Sequence, residues 1–152
     1  MTLRRRLMLW VGFAVAVVAC ASAPRPKPAE QLYFAMEVSQ SGRVIARPKL
    51  LGEAGKVVRA ERRQPGADQA DYQLVLDPAT SGGGYRIKLD LALPDGQGHS
   101  ELALLHGEQR RVELGLHPGD LEVSLMVMRV DSPEFRALMD IAQRSEHVPN
   151  SI

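Results

Sequence analysis

Tyr85-Arg86-Ile87-Lys88-Leu89-Asp90-Leu91-Ala92-Leu93 is the stretch of this chain that decides its fold. Apolar side chains occupy every odd-numbered position of the stretch, and charged or small side chains occupy every even-numbered one. A period of two is typical of a β-strand that turns one face to a core and the other to solvent. We therefore predict that residues 85–93 form a central strand of a sheet.

The same alternation recurs on both sides of this stretch. It predicts seven further strands, over residues 32–38, 43–47, 56–62, 72–76, 101–105, 112–116 and 121–127. Segments rich in Gly, Pro, Asp and Ser separate these runs, as expected for tight turns. About eight short strands at even spacing predict an all-β domain over residues 31–145, either a small antiparallel β-sandwich or an open barrel.

The last element follows a different pattern. Ser132, Pro133 and Glu134 provide an N-cap, a proline at the first helical position and an acid in the first turn. Apolar residues then recur at helical spacing: Phe135, Leu138, Met139 and Ala142. One short C-terminal helix is predicted to pack against the sheet or across an open barrel end, followed by a flexible tail at residues 146–152.

The N-terminus has the pattern of an export signal. Arg4, Arg5 and Arg6 precede an unbroken apolar run from Leu7 to Ala19. As a helix this run would span about 20 Å at ~1.5 Å per residue, which is short for a bilayer core of about 30 Å. Residues 1–19 are therefore interpreted as a signal peptide.

The end of this run resembles the lipobox of bacterial lipoproteins, at Val17, Val18, Ala19 and Cys20. The resemblance implies that Cys20 carries a diacylglycerol thioether and becomes the first mature residue. In that family, Ala21 after the cysteine favours the outer membrane, here its inner leaflet facing the periplasm. The rival is ordinary cleavage after residues 21–23, which would leave Pro24 directly after the cut.

Residues 20–30 are predicted to form a lipidated tether. Pro24, Pro26 and Pro28 alternate with Arg25 and Lys27. Prolines at this density prevent helix and ladder formation and favour an extended conformation. The segment would hold the domain off the membrane.

The composition excludes some classes of protein. The chain has 19 basic and 18 acidic side chains, and without the three leader arginines the balance is 16 to 18. Nothing in this balance indicates a nucleic-acid partner. Cys20 is the only cysteine, so an intramolecular disulfide is impossible.

Candidate catalytic and metal-binding residues are few. His99, His106 and His117 fall in predicted turns, and loops at one end of a sandwich could bring them together on a metal ion. Their spacing does not support a metal site, so we interpret them as solvated turn histidines. Residues 82–84 are three glycines without the Lys-Ser/Thr of a phosphate-binding loop, which favours a hairpin loop. No catalytic role, cofactor or metal is therefore predicted.

Two methionines mark a candidate surface. Met126 and Met128 lie on the face of the last predicted strand that is opposite Val123, Leu125 and Val127. They could contact the C-terminal helix. They could instead form part of a surface for a partner protein, because methionine side chains adapt to varied contacts.

A second resemblance covers residues 41–93. Residues 41–51, SGRVIARPKLL, run as a strand into a Pro-x-Leu pattern, followed by a Gly turn and a further strand from Lys56. This order is similar to a segment of bacterial secretins, and Tyr72 to Leu93 resembles the paired strands that follow there. The chain is far shorter than a secretin, so the resemblance implies strand topology and no pore.

The sequence leaves three functions open. The leading hypothesis is a non-enzymatic lipoprotein of the bacterial cell envelope, whose periplasmic β domain binds an envelope protein or acts as an accessory module. The second is a carrier of lipid or another apolar ligand, and the third is a hydrolase with an unrecognised site. An apolar cavity would favour the carrier, a packed interior with exposed apolar surface the binding module, and a cleft with histidines and carboxylates the enzyme.

Overall fold

The computed structural model describes residues 27–115, 117 and 119–146. These residues form two antiparallel sheets and one helix. The elements are β1 (Gln31–Gln40), β2 (Arg43–Ala46), β3 (Lys49–Glu53), β4 (Val58–Arg62), β5 (Tyr72–Ser81), β6 (Gly84–Leu93), β7 (Gly96–Leu104), β8 (Gln109–Glu113), β9 (Leu121–Arg129) and α1 (Pro133–Glu146).

One sheet has five strands in the order β2-β1-β9-β8, with β3 also paired to β1, and the other has the order β4-β5-β6-β7. The described strands do not close into a barrel. The predicted small antiparallel β-sandwich with a C-terminal helix is confirmed.

Alternation along the strands builds one core between the sheets. Leu32, Phe34 and Val38 of β1 point inward beside Val123 and Leu125 of β9, and all five are fully buried. The facing sheet contributes mainly leucines: Leu74, Leu76, Ile87, Leu89, Leu91, Leu102 and Leu104. Each such side chain contributes about 1.5–3 kcal/mol by leaving water, so this layer holds the two sheets together.

β6 is a central strand, as predicted. It pairs with β5 on one side and β7 on the other. Ile87 and Leu89 are fully buried, whereas Arg86, Lys88 and Asp90 are exposed. The period-two pattern therefore identified both the strand and its orientation.

The segment between residues 43 and 53 holds two strands, which is why the structure has nine strands where eight were predicted. β2 and β3 pair in succession with the same edge of β1. The chain breaks between them at Arg47 and Pro48, and the Met36 N–H donates to the Pro48 carbonyl at 3.0 Å. β1 and β2 form a hairpin through Ser41 and Gly42, in the turn that separates the predicted strands 32–38 and 43–47.

The predicted end of the strand over residues 72–76 is wrong. β5 continues to Ser81, and Pro78 lies opposite Ile87 of β6. The Pro78 carbonyl accepts the Gly55 N–H on the side away from β6. In a strand, the N–H and C=O of one residue point to the same side. The nitrogen of Pro78, which carries no hydrogen, therefore points to the side of β4. The pairing with β4 does not extend beyond Leu76, so no ladder hydrogen bond is lost there.

β7 starts earlier than predicted. Gly96 pairs with Leu93, so the turn holds only Pro94 and Asp95. A Cβ on Gly98 would lie 2.6 Å from the Leu114 Cβ. This glycine therefore allows close packing within a strand, at a position before the predicted strand start at Glu101.

Two other strands differ at their ends from the predicted runs. β4 begins at Val58 instead of Lys56, and β8 ends at Glu113, before the predicted residues 114–116. Leu114 packs partly buried against the core, and its N–H donates to the Leu121 carbonyl at 2.8 Å. Leu116 lies outside the described residues.

The helix begins as predicted. The Ser132 hydroxyl accepts the Phe135 N–H at 3.1 Å and donates to the Arg129 carbonyl at 2.7 Å. This N-cap fixes α1 directly after β9. Of the predicted tail, residues 147–152 lie outside the described residues, and Glu146 ends the helix.

Candidate functional site

The predicted lipidation site lies outside the described residues. This applies to the signal peptide, to the lipobox at residues 17–19, to Cys20 and to most of the tether. The structure does show where the tether joins the domain. Lys27, Pro28 and Ala29 are exposed, and the Ala54 N–H donates to the Glu30 carbonyl at 2.9 Å. The chain therefore enters the sandwich beside the connection from β3 to β4.

The predicted methionine surface lies on the outer side of the five-stranded sheet. Register places Met128 opposite Tyr33 and Met126 opposite Ala35. We call these four residues the Met face. Both methionines are half-buried, while the alternate residues of β9 are buried in the core. The sequence therefore placed the two methionines on the correct side of β9.

α1 covers one end of the Met face. The Phe135 ring packs on the Tyr33 ring with centroids 5.2 Å apart and planes inclined at 55°. Tyr33 is only 6% exposed although it points away from the core, and burial raises the pKa of its hydroxyl. α1 also contacts β9. The helix therefore meets this face at Tyr33, and a contact of α1 with the two methionines themselves stays a prediction.

The helix leaves other apolar side chains only partly covered. Leu138, Met139 and Ala142 are half-buried, and Ile141 is 59% exposed. A larger apolar partner would gain contact area from these side chains and from the half-buried methionines. The use of this surface by a partner stays a prediction.

His106 links the start of α1 to the sheet through hydrogen bonds. His106 Nδ1 accepts the Arg129 N–H at 3.1 Å, and His106 Nε2 lies 3.2 Å from the Glu134 carboxylate. Because Nδ1 accepts, Nε2 carries the proton that is donated to Glu134. Hydrogen bonds from its own backbone N–H and from His106 lower the pKa of the Glu134 carboxyl. The contact ties α1 to the β7–β8 turn.

The three histidines do not converge. His106 bonds Arg129 at one end of β9, whereas His117 bonds Asp120 beside the other end, at 3.1 Å. His99 lies on the outer face of β7, opposite Asp90. Among the described residues, no three His, Cys, Asp or Glu side chains form a group that could hold a metal ion.

The interpretation of solvated turn histidines holds for one of the three. The His117 side chain is 81% exposed in a loop, as predicted. The interpretation is wrong for His99, which lies within a strand, because β7 starts five residues earlier than the sequence pattern suggested. His106 does lie in a turn, as predicted, but it is not solvated, because its side chain is 18% exposed and bonded at both ring nitrogens.

The triple-glycine segment is a hairpin turn, as predicted. Gly82 and Gly83 have φ values of 56° and 84°, which suit a two-residue turn between β5 and β6. The turn borders a concavity of about 480 Å³ next to Glu30 and Arg129, whose charged groups are 3.8 Å apart. Burial and the nearby Glu30 raise the pKa of Tyr85 to about 12. The Glu30 carboxylate at this position disfavours a bound phosphate.

A second concavity lies at the opposite end of the sandwich. It measures about 540 Å³ and is lined in part by Ile45, Tyr72 and Leu93. Hydrogen bonds from the Gln40 amide to the Asp95 carboxylate, at 3.1 Å, cross its rim. This concavity is open to solvent, while fully buried side chains fill the space between the sheets. The described interior is therefore packed, not hollow.

Charge is divided unevenly along the chain, and the strand patterns did not reveal this. Residues 43–63 contain seven basic and two acidic side chains, whereas residues 64–152 contain seven basic and fourteen acidic. A count of charges by segment would have found this difference without a structure. The overall balance hides it because the two parts nearly cancel.

The helix α1 in the described part of the chain is not long and apolar enough to span a membrane. No protein-family model matches the chain, and no significant match was found among curated proteins or solved structures. The similarities to lipoproteins and to secretins therefore stay predictions from the sequence.

Proposed function

We propose that this chain is a lipid-anchored protein of the bacterial cell envelope whose β-sandwich binds a partner protein through the Met face. The lipid on Cys20 would hold the domain at the outer membrane, facing the periplasm. The tether would give the sandwich freedom to reach its partner. No catalytic step is assigned to the domain.

The main support for this proposal is the position of Met126 and Met128. The outer face of an antiparallel sheet is ordinarily polar where it meets water. Here two half-buried methionines occupy that face next to a helix with an exposed Ile141. Methionine adapts its shape to a partner, and partly covered apolar surface is typical of interaction sites.

The anchor is tested by mass spectrometry of the mature protein. We expect the N-terminal peptide to begin at Cys20 and to carry acyl chains, and we expect Cys20→Ala to abolish the acylation. A mature chain that begins at Pro24 without lipid would contradict the anchor.

The binding surface is tested by photo-crosslinking in cells with the full chain. A crosslinking amino acid at Met126 reports on the Met face, and the same group at Ala103 on the outer face of β7 is the matched control. We expect one dominant envelope protein to be captured from Met126 and not from Ala103. Cys20→Ala should reduce that adduct because the domain loses its place at the membrane.

Equal labelling from the two positions would contradict the Met face as the binding surface. Recovery of lipid without any protein adduct would favour the apolar-ligand carrier instead. In that case the concavity beside Tyr72 and Leu93 would be the first place to look for the ligand.

A further inference from the structure

The connection between β3 and β4 combines exposed apolar and basic side chains. We call residues 49–59 the β3–β4 corner. Leu51 is 65% exposed and Val57 is 50% exposed, and both lie within this connection. Lys49, Lys56 and Arg59 lie among them and are exposed as well.

The corner is a narrow edge of the sandwich where the two sheets approach each other. A Cβ built on Gly52 would overlap Cγ2 of Val58, so β3 and β4 are in direct contact there. Leu50 turns toward the core, so Lys49 and Leu51 on either side of it turn outward. By strand register, Lys49 and Leu51 face out from the five-stranded sheet and Arg59 faces out from the four-stranded sheet, so basic and apolar side chains flank this edge on both sides.

Two of the basic groups at the corner are not neutralised. Lys56 forms a salt bridge with Glu53. Among the described residues, no carboxylate lies within salt-bridge distance of Lys49 or Arg59. The corner therefore offers positive charge to an external anionic group, while residues 64–152 have an acidic excess.

The tether joins the domain at this corner. Gln31 pairs with Glu53 at the end of β3, and the Glu30 carbonyl accepts the Ala54 N–H. Cys20 lies ten residues before Glu30, which corresponds to at most about 35 Å of extended chain. An anchor at Cys20 would therefore keep this edge within about 35 Å of the membrane surface, so the edge can reach the lipid headgroups.

We propose that the β3–β4 corner rests on an anionic lipid surface. With this edge turned toward the membrane, Leu51 and Val57 would enter the headgroup region, and Lys49 and Arg59 would pair with lipid phosphates on either side of the edge. Apolar tips flanked by Lys and Arg are what interfacial binding requires, and anionic lipids attract such segments over about one Debye length. The acidic remainder of the domain would be repelled, which would fix the orientation of the sandwich. This inference rests on the lipid anchor of the proposed function.

The test uses the full lipidated chain in vesicles, with one arm containing phosphatidylglycerol and the other phosphatidylcholine alone. Once Cys20 is acylated, Val57→Cys supplies a single thiol for an environment-sensitive fluorophore. Ala103→Cys, on the outer face of β7, is the matched control. We expect a blue shift at position 57 only with phosphatidylglycerol, lost in about 1 M salt, where the screening length is about 3 Å. We expect no shift at position 103.

Charge reversal identifies the groups responsible. The pair Lys49→Glu and Arg59→Glu should abolish the blue shift, whereas Arg86→Glu and Lys88→Glu on the outer face of β6 should retain it. Circular dichroism of each variant controls for folding. An equal response at positions 57 and 103, or a response that survives Lys49→Glu with Arg59→Glu, would overturn the proposal.

Flotation of the vesicles separates this inference from the anchor. A chain that floats with both lipids but shows no blue shift at position 57 would overturn the proposed lipid contact of the β3–β4 corner and leave the anchor intact. A chain that does not float with neutral vesicles has no working anchor. In that case the unlabelled chain is tested with anionic vesicles. Flotation that is sensitive to salt and is lost in Lys49→Glu with Arg59→Glu would still support binding of the β3–β4 corner to anionic lipid. Absence of flotation with anionic vesicles would overturn it.

Discussion

The outer faces of the two sheets are built on the same alternating pattern, but they differ in chemistry. On the four-stranded sheet, Arg86, Lys88 and Asp90 of β6 are exposed, and Arg86 is 3.2 Å from Glu101 of β7. On the five-stranded sheet, the Met face occupies the corresponding positions of β1 and β9. A period of two fixes which residues enter the core, and the remaining residues decide whether the other face is solvated or covered.

The five-stranded sheet therefore has apolar contacts on both of its sides at one end. Tyr33 is almost as buried as the core, yet it points away from it, toward Phe135 of α1. The opposite sheet has no such layer among the described residues. Substitutions on the two outer faces should therefore have very different consequences.

The largest difference is expected between Tyr33→Ala and Arg86→Ala. Tyr33→Ala should lower the free energy of unfolding by about 3 kcal/mol, because a buried aromatic ring is lost and Phe135 is uncovered. Arg86→Ala should change it by no more than about 0.5 kcal/mol, since exposed ion pairs contribute little. Urea unfolding measures the free energy of unfolding of both variants. Equal losses in the two variants would show that α1 does not form a second packed layer.

The contact between the sheets at Gly52 should be the next most sensitive. Gly52→Ala places a methyl group against Val58 and should destabilise the fold by about 1–3 kcal/mol. Val58→Ala removes the obstructing methyl groups, so the double variant should lose less stability than the two single variants combined. Strict additivity in this double-mutant cycle would contradict close packing at the edge.

A smaller effect is expected at the helix cap. Ser132→Ala removes the acceptor of the Phe135 N–H and should cost about 1 kcal/mol. Ser145→Ala, near the other end of α1, removes a hydroxyl that donates within the helix and should cost much less. Hydrogen exchange of the α1 amides would compare the two variants, and equal protection would show that the cap does not hold the helix on the Met face.

The smallest effect is expected at Glu134 and depends on pH. Its pKa is lowered in the folded protein, so its contribution to stability is present above its ordinary pKa of 4.5. That contribution is lost as the pH falls through the lower folded value. Glu134→Gln should therefore be slightly less stable than the original chain at pH 7, and the gap should close in strong acid. A gap that persists at a pH well below 4.5 would contradict the lowered pKa of the Glu134 carboxyl.

The sequence was sufficient where local pattern and tertiary packing agree. The alternation in residues 85–93 predicted a central strand, and Ser132 to Glu134 predicted a helix start, since each signal depends on neighbours in the chain. The orientation of Met126 also follows directly from the period of two. These features need no knowledge of distant contacts.

The sequence was insufficient where a distant segment decides the outcome. Pro78 can lie within β5 because the pairing with β4 does not extend beyond Leu76. Gly98 is needed because Leu114 packs against it. The bonds that hold His106 come from Arg129 and Glu134, more than twenty residues away. The β3–β4 corner became a candidate surface only when the tether was found to join the domain there.

The pairing of β1 with β9 determines when the chain can fold. Leu32 lies opposite Arg129, so the first and last strands meet in the middle of one sheet. Nearly the whole domain must be available before β1 finds its central neighbour, and until then β1 exposes an unpaired edge. Contacts of such long sequence separation slow folding, to milliseconds or seconds in β-rich domains. A chain truncated before Leu121 would lack β9, and we expect it to aggregate rather than form a smaller version of the same sandwich.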